Sequence, residues 1–93
     1  MIIATYDISS TKTRTRFSKF LSKFGRKLQY SVYEIKNSQR ILQNILTEIE
    51  SVYKKKFQKS DSVLIFQICE GDKKKIVRYG FPVQEEKEVV CFE

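Results

Sequence analysis

The sequence predicts an α+β sandwich, with two helices packed on one face of a small antiparallel sheet. Three observations predict it. Two long stretches, residues 12–24 and 39–57, repeat apolar residues at helical spacing. The stretches between and after them are short apolar runs rich in β-branched residues, as strands require. The whole chain is 93 residues, enough for one core and one domain but with a small stability margin that dimerisation would supplement.

Ile2, Ile3, Ala4, Thr5 and Tyr6 read as a buried strand ending at Asp7. Ile8 to Lys12 form a polar loop whose Ser and Thr suit a helix cap. In residues 12–24, Phe17, Phe20, Leu21 and Phe24 make one apolar stripe. Lys12, Arg16, Lys19 and Lys23 make a second, cationic stripe, roughly 120° around the helix at 100° per residue. Gly25 is expected to end the helix at C′. Residues 26–36 read as extended, with Leu28, Tyr30 and Val32 in one phase and Tyr33 and Ile35 in the other. That slip means either one strand bulged near Ser31 and Val32 or two short strands meeting in a bend. Both stay open at this level.

Asn37 or Ser38 can cap the second helix, 39–57, in which Ile41, Leu42, Ile45, Leu46, Ile49, Val52 and Tyr53 mark the apolar face. Lys54, Lys55, Lys56 and Lys59 cluster at its C-terminal end, where the helix dipole favours cations. Residues 63–68, the most apolar run, are expected to form a central buried strand. Glu70 to Lys73 read as a turn, and Ile76 to Tyr79 as another strand closed by Gly80. The order βαββαβ is ferredoxin-like. The division expected is a core at 1–81, then a linker and C-terminal strand at 82–93. Val89, Val90, Cys91 and Phe92 are short and apolar on a polar linker. They are expected to extend the sheet edge of a second subunit, the alternative being to fold back on their own chain.

Charge narrows the partners. The net charge is +7, from 18 Lys and Arg against 11 Asp and Glu. The first 40 residues carry nine basic residues against only Asp7 and Glu34, so they account for the whole excess. A basic N-terminal half with an acidic tail points to a polyanion. The chain has no histidine, which excludes Ser-His-Asp and Cys-His catalysis and nearly every zinc site. No apolar run approaches a membrane span and no signal peptide is visible, so no membrane association is expected. Cys69 and Cys91 have no framework spacing, and a reducing cytoplasm with both thiols as small core residues is the expectation.

Asp7 is the candidate for chemistry. A carboxylate at a strand end, facing open space, suits oxygen ligation of Mg2+ or Mn2+. The competing reading is an Asx-turn to the backbone of Ser9 or Ser10. One carboxylate is too few for metal-assisted phosphodiester cleavage, so Asp7 from each chain of a two-fold dimer would have to share one site. Arg14 and Arg16 can grip phosphate with guanidinium forks beside the hydroxyls of Ser10, Thr11 and Thr13.

Tyr6-Asp7-Ile8, then Arg14 and Arg16, then the block from Gly25 through Arg26, Gln29, Ser31, Val32 and Tyr33 to Glu34 resemble the CRISPR-associated Cas2 family. The resemblance spans most of the chain. It implies a ferredoxin-like homodimer that bridges dimers of the Cas1 integrase in spacer acquisition and holds a protospacer duplex by its phosphates. It also implies metal-dependent endonuclease activity on RNA or DNA, with Asp7 as the metal-binding and catalytic aspartate. Arg14, Arg16 and Arg26 would match the family's arginines, and Ser31 and Tyr33 its serine and following aromatic. The family more often has Phe where this chain has Tyr33, and acidic residues where it has Ser9 and Ser10. The second difference removes carboxylates beside Asp7.

Three functions are therefore weighed: a DNA-binding adaptor, a nuclease using paired Asp7, and an RNA-binding module outside CRISPR. Nucleic-acid contacts are assigned to Lys12, Arg14, Arg16, Lys19, Lys23 and Arg26, with Tyr6, Ser31 and Tyr33 supporting Asp7. The RNA-binding module lacks the aromatic-rich strand expected of it, since residues 63–68 offer only Phe66.

Overall fold

A computed structural model describes residues 1–77 and 79. The element order is β1 (Ile2–Asp7), α1 (Thr11–Ser22), β2 (Gly25–Gln29), β3 (Val32–Ile35), α2 (Gln39–Glu48), β4 (Ser62–Gln67) and a single turn, α3 (Glu70–Lys73). The four strands form one antiparallel sheet in the order β2-β3-β1-β4. This is the ferredoxin-like arrangement, and both long helices cover the same face.

Strand alternation decides which residues face the helices. Ile2, Ala4 and Tyr6 of β1 point into the main core with Phe17 and Leu21 of α1, Tyr33 and Ile35 of β3, and Leu42 and Ile45 of α2. Phe17 and Leu21 are fully buried. Phe17 is the hub of an aromatic cluster, edge-on to Tyr6 at 5.2 Å and to Tyr53 at 4.9 Å. Phe20 continues the cluster to Phe24 at 5.4 Å. Ser10 and Ser38 cap the two helices, accepting from the amides of Thr13 and Ile41.

Several local expectations change. The first helix ends at Ser22, and Gly25 is the opening residue of β2 rather than a left-handed cap. The glycine is needed for close approach: a Cβ there would collide with the Glu34 carbonyl of β3. Residues 26–36 are two strands joined at Tyr30 and Ser31, with Ser31 in the left-handed region at φ 65°. Of the two alternatives left open by the phase slip, the two-strand bend is the one formed; a separate register shift lies within β2, between Lys27 and Gln29.

The second helix is regular only to Glu48. A π turn at Ile49–Tyr53 and a 3-10 turn at Lys54–Lys56 follow, and Tyr53 is buried against Phe17. Residues 70–73 form a helical turn. Ile76 and Val77 are not in a strand; Ile76 packs on a second cluster with Met1, Ile3 and Leu28. Arg78, Gly80, the linker at 82–88 and the C-terminal strand at 89–92 lie outside the described residues.

The largest correction concerns β4. It is not central: β1 holds that place, and β4 flanks it at the end of the described sheet. Val63 and Ile65 pack toward the helices, while Leu64 and Phe66 point to the other face and are 56% and 48% exposed. The run is apolar throughout because both faces of β4 are apolar, although among the described residues only one is covered.

Candidate nucleic-acid interface and carboxylate site

Odd-numbered residues of β1 point away from the helices. Ile3, Thr5 and Asp7 therefore share the bare face, opposite Phe66, Leu64 and Ser62 of β4. Asp7 ends this row. Its side chain is exposed and has no hydrogen bond or ion pair among the described residues. The Asx-turn is not formed with Ser9. The Ser9 amide instead donates to Asp61 Oδ1 at 2.9 Å, as does the Ser9 hydroxyl at 2.9 Å. The Gln58 amide donates to Asp61 Oδ2, also at 2.9 Å. The backbone amides of Gln58 and Ser9 hold the Asp61 carboxyl below the usual carboxylate range. Asp61 thus anchors the loop after β1 and leaves Asp7 free. Sequence reading missed it; the polar step Ser60-Asp61-Ser62 before an apolar strand was the available signal.

Arg14 is half-buried and folds back on the same loop. Nη1 donates to the carbonyls of Ile8 at 3.0 Å and Ser9 at 3.5 Å, and Nη2 to the Thr11 hydroxyl at 3.1 Å. Its fork closes the turn into α1. Lys12, Arg16, Lys19 and Lys23 are exposed on the outside of α1. The Arg16 charge acts on the Tyr53 hydroxyl, whose pKa is raised chiefly by burial and then by Glu48. Tyr53 leads directly into the exposed residues Lys54, Lys55 and Lys56.

Arg26 lies in β2, where it borders a cavity together with Lys23 at the end of α1. It pairs with Glu34 across β2 and β3, with its Nη2 at 3.3 Å, and Glu34 is opposite Ile3 on the bare face. That is about 13 Å along β1 from Asp7. Tyr6 and Tyr33 lie on the helix side of the sheet behind Asp7, with their rings stacked at 6.3 Å. The Ser18 and Tyr33 hydroxyls share a hydrogen bond of 2.5 Å, and the Tyr6 amide donates to the Ser31 carbonyl at 3.2 Å. Burial pushes the Tyr6 phenol up, against the opposing effect of the Ser18 hydroxyl. These residues brace the end of β1 from the opposite face.

A family model for CRISPR associated protein Cas2 matches residues 1–76. The chain belongs to the Cas2 family. It is 28% identical over 93 residues to the CRISPR-associated endoribonuclease Cas2 2 of Methanospirillum hungatei, covering 96% of each chain. Its fold is similar to the crystal structure of Streptococcus pyogenes Cas2, with a TM-score of 0.69 at 18% identity over 85% of this chain and 98% of the other. A further Cas2 crystal structure gives a TM-score of 0.66 at 19% identity, over 96% and 95% of the two chains. A protein from Thermus thermophilus, TT1823, gives 0.59 at 20% identity, over 97% and 88%.

For this Cas2 chain, the fold separates residues that the sequence grouped together. Asp7 and Arg26 are on the bare face, at opposite ends. Lys12, Arg16, Lys19 and Lys23 are exposed along α1, with Lys19 and Lys23 on the side that borders β2 and β3. Arg14 lies at the seam. Among the described residues, no three carboxylate, cysteine or histidine side chains converge as a metal site. Nor is any helix there long and apolar enough to cross a membrane.

Proposed function

We propose that this protein is a spacer-acquisition subunit that works as a homodimer, binds duplex DNA through its phosphates and bridges Cas1 integrase dimers. The observation carrying this reading is the bare face, where exposed Leu64 and Phe66 form an apolar row that ends at the unpartnered carboxylate of Asp7. Covering that row removes apolar surface from water, at roughly 25 cal/mol per Å2. A second copy placed against it would bring two Asp7 side chains to one edge. The C-terminal segment at 82–93 would secure the pairing as an added strand. The helical cations would remain outside, available to phosphates.

Sedimentation of the full chain and of a chain lacking 82–93 tests the assembly. The full chain is expected to run as a dimer and the truncated one to dissociate more readily; a monomeric full chain at micromolar concentration overturns the reading. Duplex affinity is expected to be independent of sequence and to fall roughly a thousandfold between about 50 and 200 mM salt, as counterion release requires.

Metal-dependent endonuclease activity is a second reading, supported by the freedom of Asp7. Mg2+ or Mn2+ prefers several oxygen ligands, and among the described residues one chain offers a single uncommitted carboxylate at this edge because Asp61 is engaged by Ser9 and Gln58. The residues fit a divalent cation only as a pair, with Asp7 of each copy contributing. The cation would supply charge neutralisation at the scissile phosphate. Turnover of RNA and DNA by purified protein should disappear in Asp7→Ala while duplex binding persists. Equal turnover in both proteins leaves the non-catalytic scaffold as the function.

A further inference from the structure

On the helix side of the sheet, apart from the bare face that carries Asp7, a cavity of about 280 Å3 opens between α1 and the β2–β3 hairpin. Thr15, Ser18 and Lys19 of α1 form one wall; Lys27, Tyr30 and Ser31 of the hairpin form the other. We propose that this cavity binds a single phosphorylated nucleotide, with the phosphate held between Lys19 and Lys27 and the base stacked on Tyr30.

Charge is the first argument. Three cationic side chains, Arg14 and Lys19 of α1 and Lys27 of β2, line one small cavity, and no carboxylate lines it among the described residues. Neither lysine has a carboxylate partner among the described residues, although Lys27 is half-buried. Cations gathered in one concavity without a carboxylate to offset them raise the local positive potential and favour an anion there. Hydroxyls from Thr15, Ser18 and Ser31 surround the same space, and a phosphate can use such donors.

The aromatic rim is the second argument. Tyr30 is 71% exposed, and Lys27 Nζ sits 5.3 Å from the centre of its ring. Lys27 lies over one face of the ring, so a base would stack on the other face, next to a phosphate-binding charge, the combination by which single strands are held without sequence readout. The hairpin holds Tyr30 there through Ser31, whose left-handed backbone turns the chain and whose carbonyl is tied to the Tyr6 amide. Size is the third argument. The volume is just below the range of ligand pockets, roughly 300–1,000 Å3, and it has room for part of one nucleotide rather than for a duplex.

The chemistry is common to a free nucleotide and to the phosphorylated end of a strand, and the probes separate them. Amide spectra of the full-length, isotope-labelled protein would be titrated with adenosine 5′-monophosphate, adenosine, inorganic phosphate, and a trinucleotide with or without a 5′-phosphate. Shifts at Thr15, Ser18, Lys19, Lys27 and Ser31 are expected with the monophosphate, and much weaker binding with adenosine. A response to the phosphorylated trinucleotide assigns the pocket to strand ends; a response to the monophosphate alone assigns it to free nucleotides.

Lys27→Gln should weaken the monophosphate about tenfold. Tyr30→Ala should weaken it by about the same factor and leave inorganic phosphate unchanged. Preserved amide dispersion in both variants establishes that they fold. Equal binding of adenosine and its monophosphate, shifts confined to Lys54–Lys56, or full affinity in folded Lys27→Gln each overturns the proposal. Duplex binding is read separately in Lys27→Gln and in wild type. Its loss in wild type would sink the adaptor reading while leaving the nucleotide pocket to be judged on its own titration.

Discussion

The two faces of the sheet are built from similar residues and end in opposite states. On the helix face, Phe17, Leu21, Ile2 and Ile45 are excluded from water, and aromatic rings meet edge to face. On the bare face, Ile3 and Leu28 find cover from Met1 and neighbouring residues, but Leu64 and Phe66 stay exposed. One face is completed by the chain's own helices; the other is only partly covered by the described residues. The polar chemistry follows the same division. The uncommitted carboxylate of Asp7 lies at the end of the bare face, while the cation stripe lies along α1, in the layer that completes the core. An apolar row with a free carboxylate at its edge has a reason to meet a second surface, whereas a closed core has none.

The sharpest way to break this contrast is to cut one large side chain from each face. Phe17→Ala should cost about 3–5 kcal/mol, a large part of a small domain's whole stability, and denaturant titration should show a low midpoint or no folded baseline. Phe66→Ala should leave the fold in place and shift the sedimentation equilibrium toward monomer. A loss of folding as severe as that of Phe17→Ala, without change in the monomer–dimer balance, would contradict the contrast.

Gly25→Ala probes the seam between β2 and β3. The added methyl meets the Glu34 carbonyl, so the backbones must separate, at a cost of about 1–3 kcal/mol. Amide exchange in β2 and at the Tyr30–Ser31 turn should accelerate more than in β1.

Asp61 gives a pH signature. Its native pKa is lowered from 3.8 by the amides of Gln58 and Ser9. A lowered carboxyl contributes stability that is present above its unfolded pKa and is lost as pH falls through the native value. Melting temperature should therefore drop below about pH 4 more steeply in wild type than in Asp61→Asn. Parallel curves would remove Asp61 as the anchor of the loop.

The smallest effects separate two neighbouring arginines. Arg16→Ala should leave stability nearly unchanged and reduce the salt slope of duplex binding by about 1 per chain. Arg14→Ala should cost about 1–2 kcal/mol of stability, since three contacts to the loop are lost, with less change in slope.

Much of this arrangement was legible in the order of residues. The stripe Phe17, Phe20, Leu21 and Phe24 placed the first helix and its buried side, because a 3.6-residue period admits few alternatives. The family was legible from short blocks around Tyr6 and Gly25. The role of Asp61 was not, since its partners are 52 residues away for Ser9 and only local for Gln58. Arg14 and Arg16 look equivalent in sequence and diverge because only one can reach the loop carbonyls. The position of β4 was misread because an apolar run has the same composition whether its second face is buried or bare.

Local periodicity and charge were sufficient to specify the βαββαβ order, the amphipathic faces of both helices and the cationic exterior of the first. These follow from interactions between near neighbours along the chain. Which strand took the centre, which carboxylate was tied down and which left free, and the separation of Asp7 from the helical cations depended on distant segments meeting. Strand register sets those outcomes, because a shift of one residue would exchange the two faces and every side chain on them.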